Sequence, residues 1–238
     1  MAAKPITLPA SGSRGLYFYA VLGAAIIVFA GFAQSYFLKV FFGTPQLYPL
    51  LHLHGLVMTS WFVLFAAQSW LIETHRVRLH RRLGVLGALL AAMILVVGVA
   101  VVTINAREGR VPPAAPIPVV VFLSYANLLV FGVLVGAAIY FRGRSESHKR
   151  LMLLGTLNLL TAAITRIPLA FIQSGGLLTV FGFPDLFIVV CVAYDTLRHR
   201  RLHPAFVWGA LLSLAWPALA IWIGGSSVWA KVTAWLLS

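Results

Sequence analysis

Seven apolar stretches, each long enough to cross a bilayer, divide this chain almost from end to end. They run over Leu16–Phe42, Leu50–Ile72, Gly84–Asn105, Pro118–Phe141, Leu151–Gln173, Leu177–Leu197 and Ala205–Gly224. A helix rises 1.5 Å per residue, so about 20 apolar residues cross a hydrocarbon core of about 30 Å. Lipid offers backbone polar groups no water to bond, so each crossing segment is expected to be a helix rather than an open strand. The expected fold class is all-α, a polytopic transmembrane helical bundle of seven spans. With 10% of residues charged, against about 25% in soluble domains, little is left over for a soluble domain.

The net charge of +13 suggests nucleic acid, but its distribution argues against that partner. Lys4, Arg14, Arg76, Arg78, Arg81, Arg82, Arg142, Arg144, Lys149, Arg150, Arg198, Arg200 and Arg201 all fall in the N-terminal arm or in loops after an even number of spans. The loops on the other side hold only Lys39, Arg107, Arg110 and Lys231. This is the positive-inside pattern, and it sets the N-terminus inside and the C-terminus outside. The basic loops are placed to attract anionic lipid headgroups. The first span is too long for a signal-peptide core, and no small-x-small site follows it. The single cysteine, Cys191, excludes an intrachain disulfide and a cysteine metal site.

Three units follow. Residues 1–15 are expected to be a flexible cytoplasmic arm, residues 16–224 the seven-helix transmembrane domain, and residues 225–238 a short interfacial amphipathic helix. In the last, Trp229, Val232 and Leu236 share helical spacing, with Trp229 and Trp235 as interfacial anchors. The loop Ala106–Ile117 contains Pro112, Pro113 and Pro116 and reads as an extended connector. Ser174–Pro184 is Gly-rich and uncharged, and reads as the start of span six or a loop dipping into the bilayer. Pro184 suits a first helical position.

A weak repeat marks the basic loops. His80-Arg81-Arg82-Leu83, His148-Lys149-Arg150-Leu151 and Arg200-Arg201-Leu202-His203 each open a span. Together with His54-Gly55, Trp61, Gln68, Arg78-Leu79-His80-Arg81-Arg82-Leu83-Gly84, Met152 and Pro204-Ala205, these segments resemble an uncharacterised family of bacterial seven-helix integral membrane proteins. The resemblance covers roughly residues 50–210. It implies a multi-pass fold in the bacterial inner (plasma) membrane and brings no activity with it.

Two constellations have chemical potential. Arg166 is an ionisable residue inside a span, a costly placement that points to function. It lies about 22 Å beyond Leu151, in the outer half, where Asp185 is the one acid positioned to pair with it. Asn158, Thr161, Thr165 and Gln173 form a polar stripe nearby. His54, Met58, Trp61 and Gln68 share one helix face, and Tyr125, Asn127 and Gln34 lie in the same outer half. Arg166, Asp185, His54, Tyr125, Asn127 and Trp61 are therefore the candidate ligand-binding residues, lining a pocket for a polar or anionic headgroup such as a lipid or quinone. The alternative is a structural Arg166–Asp185 ion pair among interhelical hydrogen bonds. The second constellation is His75, His80, His148, His199 and His203 at the inner face. His80, His148 and His203 would give a three-histidine metal site if spans three, five and seven were neighbours, and His199 and His203 would share a face if one helix carried both.

Other chemistries find no support. A bis-histidine haem needs facing histidines at one depth, and only His52 and His54, on one helix, lie within a span. Retinal needs a lysine in the last span, and Ala205–Gly224 has none. Walker A, HExxH, GxSxG and CxxC motifs are absent, as are clear inverted repeats. The expected function is an accessory or binding protein without an autonomous catalytic signature. It would be a subunit of a membrane complex or bind a lipid- or quinone-like ligand. Small-residue faces at Gly132/Gly136 and Gly84/Ala88/Ala91 would pack against neighbouring subunits. The alternatives are a metal-dependent membrane oxidoreductase using His80, His148 and His203, and a transporter gated by the Arg166–Asp185 pair.

Overall fold

The computed structural model describes residues 13–111, 116–176 and 178–238, and among them every regular element is a helix. Ten α-helices follow in order: α1 Ser13–Phe32, α2 Pro49–Glu73, α3 Val77–Arg107, α4 Ile117–Tyr140, α5 Ser145–Asn158, α6 Thr161–Ile164, α7 Ala170–Gln173, α8 Phe183–His199, α9 Pro204–Gly224 and α10 Ser227–Leu237. Six helices among the described residues are long and apolar enough to cross a membrane: Leu16–Phe37, Pro49–Glu73, Val77–Arg107, Ile117–Tyr140, Thr179–His199 and Pro204–Gly224. Their composition and length are those of a multi-pass membrane protein.

The expected fifth span differs. Leu151–Gln173 is not one helix but three, α5, α6 and α7. The interruption coincides with a run of side-chain bonds to helix carbonyls. Thr156 donates to the Met152 carbonyl, Asn158 to that of Leu154, Thr161 to that of Asn158 and Thr165 to that of Thr161. Such side chains compete for the carbonyls that the helix ladder uses, and they bend helices. At the break the ladder tightens to i→i−3 bonds, Leu159 N–H to Thr156 and Leu160 N–H to Leu157. Pro168 then ends the run, since it lacks an N–H and disfavours a helical residue before it.

This interrupted segment forms the centre of the bundle. Leu153 to Leu160 are all buried, packed with Phe131 and Leu134 of α4, Phe206 of α9, Ile188 and Cys191 of α8, and Ala24 and Val28 of α1. Two glycines permit unusually close approach. A Cβ on Gly31 of α1 would collide with the backbone carbonyl of Ala163 in α6, and one on Gly55 of α2 with the ring of Tyr36. At Gly84 and Gly136 a Cβ would meet nothing within 4 Å.

Single π-helical turns flank this centre, at Ala33–Phe37 after α1 and Leu178–Gly182 before α8. Residues 1–12 of the expected arm lie outside the described residues, and its last three residues begin α1. Pro112 and Pro113 also lie outside them. Ser226 caps α10 by accepting from Trp229 N–H at 3.2 Å. Trp229 is no free anchor: its indole donates to the Pro118 carbonyl at 2.8 Å and meets Phe122 edge-on at 4.9 Å. Trp235 is exposed.

Candidate functional site

The basic loops mark one end of the bundle, which carries the strongest polar arrangement in the molecule. Arg150, in the second turn of α5, is 2% exposed, and Asp195, near the end of α8, 1%. The guanidinium engages Asp195 through Nε (2.9 Å) and Nη2 (2.7 and 3.0 Å). Its Nη1 donates to both the backbone carbonyl (2.9 Å) and the carboxylate (2.6 Å) of Glu146. All three guanidinium nitrogens are thus engaged within the protein. The ring of Phe206 lies 5.5 Å from the guanidinium carbon, so α5, α8 and α9 meet at one charge. His199 Nδ1 bonds the Asp195 carbonyl at 2.8 Å and lies 3.4 Å from its carboxylate. Burial alone would raise Glu146, but hydrogen bonds from Lys149 and Arg150 outweigh it and bring the carboxyl down to about 2. A fully satisfied buried pair of this kind locks helices, since removing one partner strands the other charge.

This pair was absent from the sequence reading, which counted Arg150 as a loop charge. A signal for it existed. Asp195 is one of only five acidic residues and lies inside the sixth apolar stretch, where an acid needs a partner.

The histidines of this end divide differently from the expected triad. His80 and His148 come together, with ring centroids 6.3 Å apart. His203 does not join them, because its Nδ1 caps its own helix by accepting from Ala205 N–H at 3.1 Å. His199 and His203 share no face, because α8 ends at His199 and Arg200 turns left-handed at φ 54°. No group of three metal-capable side chains occurs among the described residues.

Neighbours also set the ring tautomers of the close pair. The amide of Gln68 lies between the His80 carbonyl (3.2 Å) and the Gly84 N–H (3.0 Å), which orients its nitrogen toward His80 and its oxygen toward Gly84. That nitrogen then donates to His80 Nδ1 at 2.5 Å. Neutral His80 therefore carries its proton on Nε2, a poor metal ligand in that form. His148 Nδ1 faces the Ala138 carbonyl at 2.8 Å and must donate to it, leaving a lone pair on Nε2. The pair offers one donor and one acceptor, where a metal needs two lone pairs.

At the opposite end, the second arginine of the same segment is arranged in a different way. Arg166 follows α6, at the point where the backbone leaves the helix. Its Nη1 donates to the Ala162 carbonyl at 2.7 Å and its guanidinium lies 5.2 Å from the ring centroid of Phe32. The residue is exposed at the bundle surface, and no ion pair among the described residues involves it. Asp185 is half-buried in the first turn of α8 and does not pair with it. His54 is half-buried on α2. Gln173 closes the turn after Arg166 by donating to the carbonyls of Thr165 (3.3 Å) and Ile167 (2.9 Å).

The remaining candidates lie deeper or elsewhere. Tyr125 shares a 2.7 Å hydrogen bond with Thr103 and so faces α3. Trp61 is 2% exposed and packs edge-on against Phe131 at 5.1 Å. Asn127 lies on α4 with its side-chain oxygen buried. The structure sets Trp61 in the core and Tyr125 against α3. No family model, curated protein or solved structure matches this chain.

Proposed function

We propose that this chain is a seven-pass protein of a bacterial plasma membrane that binds an anionic or polar lipid-like molecule, a quinone among the candidates, with Arg166 as the headgroup donor. The observation that carries this reading is the state of Arg166. It stands at the surface of an apolar bundle, with one donor used by the protein and no carboxylate beside it. A guanidinium so placed in lipid surroundings calls for an anionic or carbonyl oxygen, which it takes in forked geometry.

The topology supports the same reading. Thirteen of the eighteen Lys and Arg residues belong to the arm or to the loops and helix ends on one side of the proposed crossings, which favours an N-terminus in the cytoplasm and a C-terminus outside. The run α5–α6 serves as the fifth crossing despite its break. Reagent labelling of single cysteines at the two termini tests this directly: seven crossings put the termini on opposite faces, and six put them on the same face. The metal-oxidoreductase alternative is less well supported, given the donor–acceptor tautomers of His80 and His148.

Gentle extraction followed by native mass spectrometry tests the binding reading. Wild-type protein is expected to retain a bound lipid or quinone, Arg166→Ala to lose it with the fold intact, and Arg166→Lys to retain it in part. Full retention by Arg166→Ala would sink the proposal.

A further inference from the structure

The turn between α2 and α3 lies at the basic end of the bundle, and its charges are unlike those of the next basic loop. Between α4 and α5 the protein uses its own cations. Arg142 donates to the Ile139 carbonyl, Arg144 lies over the Phe141 ring, and Lys149 and Arg150 both meet Glu146. Between α2 and α3 it does not. His75, Arg76, Arg78 and Arg82, with Val77 and Leu79, line one cavity of about 420 Å³. No ion pair among the described residues involves any of these three arginines. Arg76 rests over the ring of Trp70 at 5.1 Å. Glu73, the one acid of this turn, is half-buried at the end of α2 and pairs with none of them.

Like charges beside one cavity repel. Arg78 and Arg82 stand four positions apart in α3, a spacing at which like charges destabilise a helix. The helix also begins here without a side-chain cap. Its first N–H groups, which no helix satisfies internally, face this end with the positive pole of the dipole. Each of these terms favours an anion, and the three guanidinium groups favour one kind. A carboxylate accepts one fork, whereas a phosphate has oxygens enough to take bonds from several arginines at once. We propose that the cavity at the α2–α3 turn is a phosphate-binding site, held by Arg76, Arg78 and Arg82, for a phosphate group carried by an anionic lipid or free in solution. The turn joins two helices of crossing length beside the exposed Trp70, at the level where headgroups lie. The site is separate from the headgroup reading at Arg166, which concerns the opposite end of the bundle.

The test uses full-length protein in phosphatidylcholine nanodiscs and phosphate-free buffer, with two probes. Phosphatidic acid is added as a minor lipid and read by native mass spectrometry; inorganic phosphate is read by titration calorimetry. Saturable binding of phosphatidic acid alone assigns the lipid source, and saturable binding of inorganic phosphate assigns the soluble one; either upholds the site. Arg78→Lys/Arg82→Lys keeps the charge, and with it the crossing pattern, but removes two forks. Affinity for the bound probe is expected to fall about tenfold, the loss of one charge-assisted hydrogen bond. Arg200→Lys/Arg201→Lys, the same change in another basic loop, is expected to leave it unchanged. Binding of neither probe would overturn the site. So would undiminished binding by Arg78→Lys/Arg82→Lys, or an equal loss in both double variants, which would assign the effect to general positive charge. Arg166→Ala separates the two proposals: unchanged binding there leaves this site standing even if the headgroup reading fails, and lost binding would assign the probe to Arg166 instead.

Discussion

Arg150 and Arg166 sit sixteen positions apart in one segment, and the structure treats them in opposite ways. Arg150 is enclosed, with all three guanidinium nitrogens engaged and two carboxylates in contact. Arg166 is exposed, with one backbone acceptor and an aromatic ring. A buried, fully paired charge serves architecture, because any motion strands it. An exposed charge in an apolar setting, with donors to spare, is where recognition is proposed. The comparison teaches that burial and satisfaction, rather than the bare presence of an arginine near a span, separate a lock from a site.

The largest test of that contrast is Asp195→Ala, which leaves the buried Arg150 with only the half-exposed Glu146 as a partner and should cost up to about 3–5 kcal/mol, read as a lowered thermal midpoint or failed folding in detergent. The double variant Arg150→Met/Asp195→Leu should recover most of the loss. A cost near zero for Asp195→Ala would show that the pair locks nothing. Next comes Gly31→Ala. A methyl against the Ala163 carbonyl should destabilise by about 1–3 kcal/mol through overpacking, measured the same way. Unchanged stability would mean that α1 and α6 separate freely.

Asn158 donates to Ser213 of α9 at 2.8 Å. Interhelical bonds in membranes average about 0.6 kcal/mol, so Asn158→Leu should lower the midpoint only slightly and leave any bound ligand in place. A large loss would make Asn158 part of the lock. Acid offers a smaller probe. Glu146 is held at about 2 against an ordinary 4.5, so its contribution is complete above pH 4.5 and is lost as pH falls through about 2. The side chain is 50% exposed, and the effect is correspondingly modest. Glu146→Gln should flatten the fall in thermal midpoint between pH 4.5 and 2, and an identical fall in both proteins would remove Glu146 from the account. Smallest of all, Arg166→Ala should change stability by no more than about 0.5 kcal/mol, as expected of a surface position. A loss of several kcal/mol would make Arg166 a second lock.

Much of the fold was legible because apolar length is a direct physical requirement of lipid. Six of the seven expected stretches correspond to helices of crossing length. The fifth reads as continuous by apolar length, although the polar stripe of Asn158, Thr161 and Thr165 falls where its ladder is interrupted. At the site, Arg166 and His54 were placed near each other by depth alone. Their supposed partner Asp185 was a guess from scarcity, and depth gives no information about azimuth. Trp61 reads equally as pocket or core, since an aromatic on a helix face suits both.

From the sequence alone come the helical class, six of the crossing-length helices and the clustering of basic residues at alternate loops, all consequences of what lipid and headgroups tolerate. Which segment is central is not among them. In lipid every span is apolar on all sides, so hydrophobic periodicity does not separate a core helix from a peripheral one. Only the tertiary structure decided that the broken α5–α6 run fills the middle, that Arg150 rather than Arg166 finds the carboxylate, and that His80 meets His148 without His203. Each depends on rotation about a helix axis and on backbone breaks of a few residues, quantities that side-chain packing sets and composition does not encode.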